Sequence, residues 1–117
     1  DLRKKMVFIT GPRQVGKTTL ALSFLKPSSK EHPAYLNYDI AAHQKRIRAH
    51  EFPEDQALIV LDEIHKYARW RTLVKGFYDL YFPRKNLIVT GSARLDHYRK
   101  GGDSLVGRYH YHRLHPF

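Results

Sequence analysis

At 117 residues the chain has room for one domain and one hydrophobic core. Twenty-one lysines and arginines against eleven aspartates and glutamates give a net charge of +10, and there is no cysteine. Disulfides, thiolate zinc sites and a cysteine nucleophile are thereby excluded, and no apolar run is long enough to span a membrane.

Residues 1–5 are basic, and the apolar run Met6–Ile9 that follows is too short for a signal peptide. A cytoplasmic setting fits both this and the missing cysteines. Met6–Ile9 is predicted as the first strand. It feeds Gly11-Pro12-Arg13-Gln14-Val15-Gly16-Lys17-Thr18, a complete G-x-x-x-x-G-K-[ST] phosphate-binding loop. Its two glycines let the backbone wrap a phosphate chain, with N–H groups turned inward. Lys17 supplies a point charge for the β- and γ-phosphates, and the Thr18 hydroxyl is suited to Mg²⁺. The reading is a nucleoside triphosphate site.

A helix is predicted from near Gly16, with Leu20, Ala21, Phe24 and Leu25 on one face, until Pro27 stops it. Ala34–Tyr38 reads as a second strand. Asp39 then reads as the N-cap of a short basic helix over roughly residues 40–49.

Ala57–Leu61 is an apolar run entering Asp62-Glu63, as expected of a strand buried on both faces. An acidic pair at the C-terminal end of such a strand stands where open α/β sheets bind ligands. Asp62 is the candidate partner of Thr18 around Mg²⁺, and Glu63 the candidate general base that polarises water.

Trp70, Leu73, Val74, Phe77 and Tyr81 recur at helical spacing, and this stripe reads as core rather than as a platform for bases. Leu87–Val89 is a fourth buried strand, running into Thr90-Gly91-Ser92. Ser92 is the candidate phosphate-sensing side chain and Thr90 the second choice. Tyr109–Leu114 reads as an edge strand. Within it His110 and His112 share a face and His115 does not, so no metal site is read there. Alternation of strands with amphipathic stretches predicts one α/β domain over residues 1–117 with a parallel sheet. The ends of the sequence suggest a piece of a longer protein.

Four segments resemble a family of prokaryotic AAA-type ATPases of the P-loop class. They are Gly11–Thr19, Leu61–Lys66, Val89–Arg94 and Leu105–Arg108, and the terminal Leu114–Phe117 resembles the family's exit from its core. The resemblance implies a three-layer P-loop fold of about five strands in the order 5-1-4-3-2. It also implies a nucleotide-binding set of Gly11, Pro12, Arg13, Gln14, Val15, Gly16, Lys17, Thr18 and Thr19. Lys17, Glu63, Ser92 and Arg108 would be catalytic, and Thr18 and Asp62 would serve Mg²⁺. Arg108, ahead of Arg94, is the candidate arginine finger, which in trans requires a homo-oligomer. Members of the family continue into a helical lid and a C-terminal domain that this sequence does not contain.

Three functions follow. The first is Mg·ATP hydrolysis that drives remodelling of a partner. The second is a nucleotide-gated switch or DNA-binding module with little turnover. The third, a small-molecule kinase, is disfavoured by the paired Asp62-Glu63. The scattered basic residues also make nucleic acid a candidate partner.

Overall fold

A computed structural model describes residues 6–10, 16–81, 84–91 and 109–113. Five strands form one sheet: β1 (Met6–Thr10), β2 (Tyr35–Asn37), β3 (Leu58–Asp62), β4 (Asn86–Gly91) and β5 (Tyr109–Arg113). Every pairing is parallel, and the order across the sheet is β2-β3-β4-β1-β5. Read from the β5 side this is 5-1-4-3-2, the order the resemblance implies. Among the described residues three α-helices cross between strands: α1 (Lys17–Leu22), α2 (Ala41–Arg48) and α3 (Trp70–Tyr81).

The interior of the sheet is apolar on both faces. Val7, Phe8 and Ile9 are all buried, as are Ile59, Val60 and Leu61, and Leu87, Ile88 and Val89. Successive strand side chains point to opposite faces, so uninterrupted burial requires cover on both, the three-layer arrangement. On one face Phe8 meets Trp70 of α3 edge-on, with ring centroids 5.8 Å apart. The predicted α3 stripe is core: Trp70, Leu73, Val74 and Phe77 are buried, and Tyr81 packs on Phe77.

Three local expectations are corrected. α1 ends at Leu22, and Phe24 is exposed while Leu22 is buried in its place. The reason lies at the helix end, where the Ser23 N–H is shared by the Thr19 and Leu20 carbonyls and Phe24 and Leu25 bond only three residues back, so the last turn tightens to a 3-10 form and shifts the buried face. The second strand is also shorter than Ala34–Tyr38, since only Tyr35–Asn37 pair with β3. Asp39 does not cap α2. Ile40 holds that position without a side-chain bond, because the Asp39 carboxylate is drawn 2.7 Å from Lys66.

At the N-terminal ends of β3 and β4, Lys85 ties down the loop entering β3. Its ammonium donates to the carbonyls of Pro53, Glu54 and Gln56 at 2.7–3.0 Å. A cavity of about 620 Å³ lined by Phe52, Tyr81, Arg84 and Lys85 lies beside this tie. It is remote from the acidic strand end, at which the chemistry-bearing side chains meet.

Candidate functional site

Parallel strands bring their C-terminal ends to one edge, and the register there is explicit. Thr10 stands beside Gly91, and Asn37 beside Asp62. α1 starts above this edge. Gly16 precedes it with φ of 84°, and a Cβ there would meet nothing within 4 Å. Glycine is therefore needed at this position for its left-handed backbone rather than for space. From this turn Lys17 and Thr18 enter the first turn of the helix and face the strand ends.

Lys17 is buried, with only 3% of its surface exposed. Its ammonium donates to the Gly91 carbonyl at 3.0 Å and lies 3.4 Å from Glu63 Oε2. Thr18 Oγ1 donates to Asp62 Oδ2 at 2.8 Å. An extended strand would turn Asp62 and Glu63 to opposite faces. Here Glu63 takes φ of 57°, a left-handed conformation uncommon outside glycine, and the chain breaks into the 3-10 helix Ile64–Lys66. That kink lets neighbouring carboxylates meet neighbouring residues of α1.

Asp62 is heavily solicited. Besides Thr18, its Oδ2 accepts from the Tyr35 phenol at 2.5 Å, and its Oδ1 accepts from the Thr90 hydroxyl. Thr90 Oγ1 in turn accepts the backbone N–H of Glu63 at 3.1 Å, which fixes the kink to β4. The Tyr35 oxygen likewise accepts from Asn37 Nδ2 at 3.1 Å. Burial first, and then the hydrogen bond to Asp62, hold the Tyr35 phenol well above its ordinary range, so it stays a neutral donor.

Glu63 is buried except for a small fraction, and its other oxygen, Oε1, lies 3.4 Å from Lys66. Lys66 itself is anchored on Asp39 at 2.7 Å. That hydrogen bond is the main reason the Lys66 ammonium is raised above the ordinary lysine value, and it is charged at neutral pH. At the end of β1, Thr10 Oγ1 is buried without a hydrogen-bond partner among the described residues.

The donor set suits a hard, hydrated cation. The Thr18 proton is committed to Asp62, which leaves its oxygen lone pairs available to a metal. Asp62 already accepts three hydroxyls, so it fits an ion reached through water better than one bound directly. No group of three or more His, Asp or Glu among the described residues forms a metal cage.

The structure thus brings Gly16, Lys17, Thr18, Asp62 and Glu63 together, and Thr90 with them. Thr19, which follows in α1, is exposed. Gly11, Pro12, Arg13, Gln14, Val15, Ser92, Arg94 and Arg108 lie outside the described residues. Sequence reasoning missed Tyr35, Asn37 and Lys66, and ranked Thr90 behind Ser92. Asn37 and Asp62 are register partners, a pairing knowable only once β2 is known to lie beside β3.

No helix among the described residues is long and apolar enough to cross a membrane. No curated protein matches the chain. The family model described as an AAA domain matches residues 3–117, nearly the whole sequence. The chain belongs to the AAA domain family, whose function is of the nucleotide-binding, ATPase type.

Proposed function

We propose that this domain binds Mg·ATP on residues 11–19 and hydrolyses it. One observation carries the reading: Lys17 and Thr18, from a single helical turn, converge on Asp62, Glu63 and Gly91 where the parallel strands β3 and β4 end. In this reading the loop amides cradle the phosphates, and Lys17 moves from Glu63 and Gly91 to the β- and γ-oxygens. Thr18 and, through water, Asp62 would hold Mg²⁺, which when bound offsets charge on the phosphates.

Glu63 takes a proton from the attacking water as its oxygen bonds to the γ-phosphorus and the bond to ADP breaks. Ser92, by resemblance, senses the γ-phosphate, with Thr90 beside Asp62 as the described alternative. Arg108, ahead of Arg94, neutralises transition-state charge, in trans if the domain forms a homo-oligomer. Catalysis is then mostly positioning and charge, with little covalent chemistry.

The test pairs two variants in a Mg-dependent phosphate-release assay with nucleotide binding measured alongside. Lys17→Ala should weaken ATP binding tenfold or more, about 1.4 kcal/mol. Glu63→Gln should bind at least as well as the parent and lose turnover by about a hundredfold or more. Equal loss of binding in both would remove Glu63 from its role. Tight binding with no turnover in the parent chain would favour the nucleotide-gated switch instead.

A further inference from the structure

Glu63 has two cations, one on each oxygen: Lys17 at Oε2 and Lys66 at Oε1, both at 3.4 Å. The two lysines differ in what else holds them. Lys17 is otherwise bound to the Gly91 carbonyl, a neutral partner that a phosphate can replace. Lys66 is fastened to Asp39 at 2.7 Å, on the connection between β2 and α2.

A triphosphate that recruits Lys17 takes it from Glu63 and adds negative charge beside the same carboxylate. The Glu63 side chain is only 11% exposed, so water replaces little of what is lost. A buried carboxylate stripped of its cation is strongly disfavoured. Whatever remains on Oε1 then decides how readily Lys17 can leave.

We propose that Lys66, braced by Asp39, is a positioning residue that keeps Glu63 compensated and in place, so that Lys17 is released to the nucleotide phosphates. This inference rests on reading Lys17 as the phosphate cation. It assigns a role to the lysine three residues beyond the proposed base, and makes the β2–α2 connection part of the nucleotide site. Lys66 is a positioning residue and not a catalytic one, since it acts through Glu63.

A double-mutant cycle read by equilibrium binding of Mg·ATP to the 117-residue chain tests it, with no need for turnover. Lys66 is 37% exposed and lies on the surface, so Lys66→Met should fold. In the parent background Lys66→Met should raise the Kd about two- to fivefold, the range for a partly exposed pair. Lys66→Arg should restore the parental value. In a Glu63→Gln background there is no carboxylate charge to compensate, and Lys66→Met should then leave the Kd unchanged.

A Kd raised equally in both backgrounds would mean that Lys66 acts on the nucleotide or on folding, and would overturn the inference. So would an unchanged Kd in the parent background. Lys17→Ala is measured in the same series. If it binds ATP as tightly as the parent, the nucleotide-site reading itself fails, and the inference with it. If Lys17→Ala binds weakly but the cycle shows no coupling, only the role of Lys66 is lost.

Discussion

Thr90 shows how a single hydroxyl can join two functions at this edge. It donates to Asp62 and accepts from the Glu63 backbone, and both partners are buried. Thr90→Val keeps the shape but orphans the Glu63 N–H, with an expected loss of about 2 kcal/mol in stability. Thr90→Ser retains the hydroxyl and should recover more than half of that loss. Urea denaturation of the three proteins checks it, and equal midpoints for the valine and serine variants would show that the hydroxyl carries nothing. The legibility of the site follows from the same facts. Lys17, Thr18, Asp62 and Glu63 are readable because their spacing is local and their chemistry specific. Tyr35 and Lys66 are not, because a phenol on a three-residue strand and a lysine in a charged run have no distinguishing pattern. Only the sheet order brings Tyr35 to Asp62, and only the left-handed turn at Glu63 with the 3-10 helix after it brings Lys66 back to Glu63.

At the level of elements, long apolar strands and the α3 stripe were readable, and short or polar connections were not. Asp39 has the residue type of an N-cap, yet a strong cation two elements away in sequence outcompetes a helix end. His43 is another such case. From the first turn of α2 its Nδ1 accepts the Asn37 backbone N–H at 3.0 Å and so fastens the helix to β2. Only the neutral ring can accept there. Burial, and then the charge of Arg46, lower the His43 pKa below its ordinary 6.5. A base with a depressed folded pKa binds fewer protons folded than unfolded, so stability rises with pH across that window. Its contribution is complete above about 6.5 and is lost as pH falls from there through the lower folded value. The melting temperature of the parent should therefore exceed that of His43→Gln most at pH 7.5, and the gap should narrow toward pH 5.5. A gap that stays constant or widens on acidification would detach His43 from this role.

For the whole molecule the dominant quantity is the net charge of +10. Solubility needs less, and an ATP site needs only a few cations, so most of this charge serves neither. The fold gives part of it a location. α2 packs on β2 at one edge of the sheet and carries Lys45, Arg46 and Arg48 in its last turn, with no acidic residue in its first. Lys45 and Arg48 are exposed, and Arg48 donates to the Tyr38 hydroxyl at 3.3 Å. The same helix adjoins the Asp39 anchor of Lys66, so a polyanion on α2 would sit one connection away from Glu63. Binding to a phosphate backbone follows a defined salt law, because each neutralised phosphate releases condensed counterions. With about four contacts, affinity for a short DNA duplex should fall about a hundredfold between 50 and 200 mM salt. Reversing two of the α2 charges, with Lys45→Glu and Arg48→Glu, should weaken binding and flatten the log–log slope by about two. Fluorescence anisotropy with a labelled duplex measures both. If the slope is unchanged in the variant, any DNA contact lies elsewhere on the basic surface, and a salt-independent signal would exclude the phosphate backbone as the partner of this charge.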